Sequence, residues 1–121
     1  MSMSLRALSA SDTTALEHVR QFFRNYAAWL GVDLSFQGFA DELANLPGAY
    51  GEADGRLFFA EIDGRPAGCV GIRRFSEGVC EMKRLYVDPD ARGRGLGRQL
   101  ALQAIKAAQA LGYRRILLDT L

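Results

Sequence analysis

The run Arg92-Gly93-Arg94-Gly95-Leu96-Gly97 constrains this chain more than any other stretch, because of what flanks it. Upstream, residues 80–87 (Cys-Glu-Met-Lys-Arg-Leu-Tyr-Val) read as a strand closed by the turn Asp88-Pro89-Asp90. Downstream, Leu96, Leu100, Ala104, Ala108 and Leu111 fall on one helical stripe, and Gly112 is a natural stop. Three glycines at alternate positions let main-chain N–H groups crowd around a ligand where a Cβ would obstruct it. The helix start adds amides without intrahelical partners and the positive end of the macrodipole. Arg92 and Arg94 supply full charges and planar donor forks suited to phosphate oxygens. The run is expected to hold a pyrophosphate-bearing ligand; a solvated turn whose arginines aid solubility is the bland alternative.

The rest of the chain reads as strands and helices around that loop. Residues 5–8 form a short strand. Ser11 or Asp12 caps a helix with Leu16, Val19, Phe22, Phe23, Tyr26, Ala27 and Leu30 on one side, and Gly31 ends it. A second, shorter helix carries Phe36, Phe39, Ala40, Leu43 and Leu46, and Pro47-Gly48 stops it. Residues 57–62 and 67–74 make a hairpin about Asp63-Gly64, and a turn around Gly78 leads into strand 80–87. Residues 115–120 form a last strand, reached from 80–87 through a helical crossover, which makes that pair parallel. The fold class is α/β: a mixed, mostly antiparallel sheet with one parallel pair, flanked by helices.

At 121 residues the chain is one domain with one core. Fifteen basic against fourteen acidic residues leave a charge of +1, too balanced for a nucleic-acid partner. Without a long apolar run or a secretory pattern, no membrane span is expected and the cytoplasm is the default compartment. Cys69 and Cys80 sit in apolar strand contexts and read as small buried thiols, and His18 has no plausible metal partner. The sequence ends at Leu121 with nothing to cover the last strand, so the domain is expected to be incomplete. The exposed terminal strand points to a homodimer.

These features together resemble the GCN-five-related N-acetyltransferase (GNAT) superfamily. Its acetyl-CoA motif is Gln or Arg, two residues, Gly, one residue, then Gly or Ala. Residues 92–97 meet it in full, in the matching order of elements. The resemblance implies acetyl transfer from acetyl-CoA to an amine on a small molecule or protein. Main-chain amides of Gly93, Arg94, Gly95, Leu96, Gly97 and Arg98, with the Arg92 charge, would hold the pyrophosphate. The strand segment Leu85-Tyr86-Val87 would lie along the pantetheine arm, with Leu85 and Val87 pairing to it as to an added strand. An N–H near Leu85 would polarise the thioester carbonyl.

The amine must lose a proton, and Glu81 is the candidate base. It lies six residues before Val87, where histone acetyltransferases of the superfamily carry their glutamate. Strict alternation puts Glu81 on one face with Lys83, Leu85 and Val87, and Tyr86 on the other. The competing reading of Glu81 is a solvated carboxylate paired with Lys83 or an arginine. Many members protonate the leaving thiolate from a tyrosine beyond the last strand. Tyr113 precedes that strand, so no general acid is assigned. Arg73, Arg74, Lys83 and Arg84 are read as a cationic group near the acceptor, suited to a carboxylate-bearing substrate or else half-solvated. Trp29, off the apolar stripe, is a candidate pocket wall.

Two other functions compete. A dinucleotide-binding fold would need its third glycine at position 98, which is Arg98, and a tighter turn after the strand. A non-catalytic acyl-CoA-binding module would use the same loop and lack turnover.

Overall fold

The expected hairpin forms about Asp63-Gly64 and is the centre of a five-stranded sheet. A computed structural model of the chain describes residues 2–31 and 38–118. The strands are β1 (Met3–Ala7), β2 (Arg56–Ile62), β3 (Arg65–Ser76), β4 (Val79–Val87) and β5 (Arg115–Leu118). The helices are α1 (Thr13–Leu30), α2 (Phe39–Ala44) and α3 (Leu96–Ala110). Strands lie side by side in chain order. The first four are antiparallel, and β4 and β5 are parallel, as the crossover through α3 requires.

Alternation in the central strands serves two layers. Leu57 and Phe59 of β2 join Leu16, Val19, Phe22, Phe23 and Tyr26 of α1. Phe58 and Ala60 face the other way, with Val70, Ile72, Cys80 and Met82, onto Leu96, Leu100, Ala104 and Ala108 of α3. Both predicted helical stripes are therefore the buried faces. Gly31 ends α1 as expected, in the left-handed region, with its N–H on the Ala27 and Ala28 carbonyls. The cap at the other end differs. Asp12 occupies the cap position, but its carboxylate turns back to accept the Ser9 N–H at 2.7 Å and gives no bond to the helix. That bond from Ser9 holds the Asp12 carboxyl below its usual range. The second helix is shorter than the apolar pattern suggests: Leu46 is buried beyond its end, and Phe36 lies outside the described residues. Asp119, Thr120 and Leu121 also lie outside them, so β5 is described to Leu118.

Gly68 shows how closely β3 approaches its neighbours. A Cβ there would stand 2.6 Å from the Tyr86 carbonyl oxygen and 3.1 Å from Leu100 Cδ1. We expect Gly68→Ala to destabilise the fold by about 1–3 kcal/mol, the usual cost of overpacking. A urea midpoint matching wild type would show that the sheet yields there at no cost.

One departure from strict alternation shapes the site. Opposite β3, Cys69 pairs with Tyr86 and Gly71 with Lys83, so Arg84 and Leu85 together face the single residue Val70. This is a β-bulge, and Arg84 adopts φ 61 within it. The extra residue reverses the sides beyond it. Glu81 does not share a face with Leu85 and Val87. It shares one with Tyr86, which packs in the α1 layer, while Val87 packs in the α3 layer. The expected assignment fails because alternation counts residues, whereas a bulge adds one without adding a pair.

Candidate functional site

The glycine loop grows out of the end of β4. Asp88 caps a short 3-10 turn, Pro89–Ala91, accepting the Asp90 N–H at 3.2 Å. Arg92 then folds back: its Nε donates to the Val87 carbonyl at 3.1 Å and its guanidinium lies 6.0 Å from the Tyr86 ring centre. Gly93 and Gly95 have φ 81 and 78, and a Cβ at either would meet nothing within 4 Å. The space in front of them is open. Leu96, buried in the α3 layer, anchors the helix start beneath the loop. No side chain caps α3. The first amide that closes the helix is Gln99, onto the Gly95 carbonyl at 3.1 Å. Ahead of it the amides of Leu96, Gly97 and Arg98 are first-turn donors at the positive end of the helix, beside exposed Arg94 and Arg98. A diphosphate fits this set of donors.

Beside the loop, β4 has an open edge. β5 pairs only with Val79 to Met82, so among the described residues no strand lies along 83–87 on that side. Asp88 gives its N–H to Ala67 of β3 at 2.8 Å. By antiparallel alternation, Val87, opposite Gly68, turns its main-chain groups towards the open edge. Arg92 occupies the Val87 carbonyl there. A cavity of about 370 Å³ follows this edge, lined by Tyr26, Met82, Arg84, Leu85, Ala101, Ile105 and Leu118. Its walls come from both layers, Tyr26 from α1 and Ala101 and Ile105 from α3, so it passes the sheet at the gap between β4 and β5. The lining is mainly apolar and suits an alkyl chain.

On the α1 side of β4 lies a charged group. Glu81 sits opposite Arg73 in the ladder and accepts its Nε at 3.3 Å. Arg73 also borders a polar cavity of about 240 Å³ with Asp41, Glu42, Asn45 and Tyr50. Tyr50 donates to Glu42 Oε2 at 3.5 Å. Burial, and secondly the Glu42 charge, push its phenol up, so it stays protonated. Arg84, 1% exposed, donates from Nε and Nη2 to the two Glu42 oxygens at 2.9 and 3.1 Å. Burial is the largest single influence and works against its charge, but the hydrogen bonds to Glu42, the Glu42 charge and the nearby Tyr50 and Tyr26 together push the guanidinium up, so it stays protonated.

The structure thus brings together Leu85, Tyr86, Val87 and the 92–98 loop, and sets Glu81 in a separate ion pair. Of the four expected cations, Arg74 alternates onto the opposite face from Arg73, so the group is three. Within it, Arg73 pairs with Glu81 and Arg84 with Glu42. Trp29 is 69% exposed and lines neither cavity. Tyr113 gives its hydroxyl to the Asp54 carbonyl at 2.6 Å, which ties it to a loop away from the β4 edge. Cys69 and Cys80 are buried free thiols, and burial pushes both up, away from thiolate reactivity. Among the described residues no helix is long and apolar enough to cross a membrane.

A mixed sheet whose parallel pair is joined over Val79 to Met82, with a glycine loop leading into the crossover helix, defines an acyltransferase-like fold. The sequence pattern of the acetyltransferase (GNAT) family matches residues 29–121, and the chain belongs to that family. An uncharacterised N-acetyltransferase of Schizosaccharomyces pombe is 41% identical over 108 residues, covering 88% of this chain and 66% of the relative. The chain thus spans about two thirds of that protein's length. An uncharacterised N-acetyltransferase of Escherichia coli is 29% identical over 120 residues, covering 96% of this chain and 71% of its own. Among solved structures, a GNAT-family acetyltransferase of Staphylococcus aureus superposes with TM-score 0.80 at 18% identity, over 99% of this chain and 75% of that one. A GCN5-related N-acetyltransferase of Ralstonia eutropha gives 0.78 at 22% identity, over 98% and 84%. At these identities the structures speak for the fold.

Proposed function

We propose that the chain is an acetyl-CoA-dependent N-acetyltransferase acting on a primary amine of a small molecule or protein. The observation that carries this reading is the α3 start: uncapped amides behind two left-handed glycines, opening beside a strand edge that no described strand pairs with and an apolar cavity. Acetyl-CoA supplies an activated thioester. The amides of Leu96, Gly97 and Arg98 would bind the diphosphate, with Arg94 and Arg98 adding charge. The β4 edge at Leu85 and Val87 would align the pantetheine arm, and Met82, Leu85, Ala101 and Ile105 would exclude water from it. An amide at the bulge near Leu85 would stabilise charge on the acyl oxygen, a role typically contributing about 3–4 kcal/mol.

Glu81 is the carboxylate assigned to accept the amine proton. Arg73 orients it through the hydrogen bond that its Nε donates. Glu81→Gln should lower turnover by about 100-fold at neutral pH, the scale of general-base catalysis. The gap should narrow at alkaline pH, where the amine is already deprotonated, and CoA affinity should hardly move. A variant whose pH–rate profile overlays wild type would return Glu81 to a structural ion pair. Calorimetry with acetyl-CoA, followed by thiol release across a panel of amines, tests the whole reading. Absence of CoA binding would remove it, and binding without release for any amine would favour a non-catalytic acyl-CoA module.

A further inference from the structure

We infer that the buried Glu42–Arg84 pair is a positioning clamp, locking the β4 bulge so that the Leu85 amide is held towards the cavity at the strand's open edge. This rests on the acetyl-CoA reading above. At the bulge, Arg84 and Leu85 share one partner, Val70, so the regular ladder does not dictate where their main-chain groups point. Arg84 also sits at φ 61, a region that residues with a Cβ seldom occupy. Such a conformation persists where its surroundings over-determine it. Here they do so from several sides. Glu42 takes two hydrogen bonds from the guanidinium, which lies 5.8 Å from the Tyr26 ring and 5.5 Å from the Phe39 ring. The Arg84 carbonyl accepts the Cys69 thiol at 3.5 Å.

A glycine would adopt this backbone without strain, so forming a bulge does not require an arginine. A buried ion pair is a costly way to fill the position, and its best-attested return is conformational specificity. The clamp's two halves also lie where that specificity acts. Arg84 and Leu85 line the same cavity, and Glu42 belongs to α2, which borders the polar cavity on the α1 side. Neither Glu42 nor Arg84 need touch the reacting atoms; both are positioning residues.

The test compares wild type with Glu42→Leu/Arg84→Met, which keeps the volume and removes both charges. The probe is acetyl-CoA labelled with carbon-13 at the acetyl carbonyl, observed by infrared difference spectroscopy, with calorimetry in parallel. In wild type, binding should move the thioester carbonyl band to lower frequency. In the double variant most of that displacement should vanish, while affinity for acetyl-CoA stays within about threefold. With any amine that supports turnover, kcat should fall about 10- to 100-fold with KM for acetyl-CoA little changed. An equal displacement in both proteins overturns the clamp, and so does affinity falling in step with the band. If the double variant does not fold, Glu42→Gln provides the same comparison: a reduced displacement supports the clamp and an unchanged one overturns it. Wild type that fails to bind acetyl-CoA sinks the parent reading, and the clamp's role with it, before any variant is made.

Discussion

Gly95→Val is expected to abolish measurable binding of coenzyme A while the domain remains folded. Gly95 lies at φ 78, ψ 10 as the residue that caps α3, and nothing in the protein stands within 4 Å of where its Cβ would be. The added side chain therefore clashes with no neighbour; it intrudes on the space in front of the helix amides. Two costs arise and can be separated. Placing a Cβ in the left-handed region costs about 1–2 kcal/mol of stability, more for a β-branched residue. Losing two charge-assisted bonds from the amides costs roughly 3 kcal/mol or more of binding, at least about 100-fold in affinity. Gly97→Ala is the control. Its backbone is helical and its Cβ would meet only Val87 Cγ2, at 3.6 Å. Affinity should stay within about twofold there, with stability unchanged or up to about 1 kcal/mol higher. Folded Gly95→Val that binds coenzyme A as wild type does would rule out the loop as the diphosphate site.

Where pattern and structure agree, the residues act locally. The apolar spacing of α1 and α3 predicts their buried faces because a helix repeats regularly, and Asp63-Gly64 forms its turn from its own backbone preferences. The glycine loop is legible for the same reason: its donors are main-chain groups whose direction follows from where a strand ends and a helix begins. β4 is different. Met82-Lys83-Arg84-Leu85 places two cations side by side, and in an alternating strand two neighbours cannot both face solvent if one side is core. That conflict is the one local signal that the strand bulges or buries a charge. It does not indicate Glu42, 42 residues earlier on a short helix, as the counter-ion. Nor does it show that the sides swap between Lys83 and Leu85, on which the relation of Glu81 to the cofactor edge depends. Long-range ionic pairing and single-residue insertions leave no periodic trace, so the site was readable as far as its main chain carries it.

Glu42→Ala is the substitution from which we expect the largest loss of stability. Arg84 is wholly enclosed, its charge held by Glu42 and by the faces of Tyr26 and Phe39. Removing the carboxylate leaves a guanidinium in a low-dielectric site without its counter-ion, and breaking a buried pair this way costs about 3–5 kcal/mol. A domain of this size has about 5–15 kcal/mol in total, so the urea midpoint should fall by a large fraction. Arg84→Met alone should cost less, because Glu42 borders the polar cavity and keeps the Tyr50 hydroxyl as a donor. Glu42→Leu/Arg84→Met should recover most of the loss, since two apolar residues of similar volume need no compensation. The pattern across the three proteins matters more than any one value. A double variant near wild type with a severely weakened Glu42→Ala means that the pair contributes little net stability, which leaves conformation at the bulge as the property it provides. If Glu42→Ala lies within about 0.5 kcal/mol of wild type, solvent reaches Arg84 and the enclosed geometry on which that argument depends is wrong.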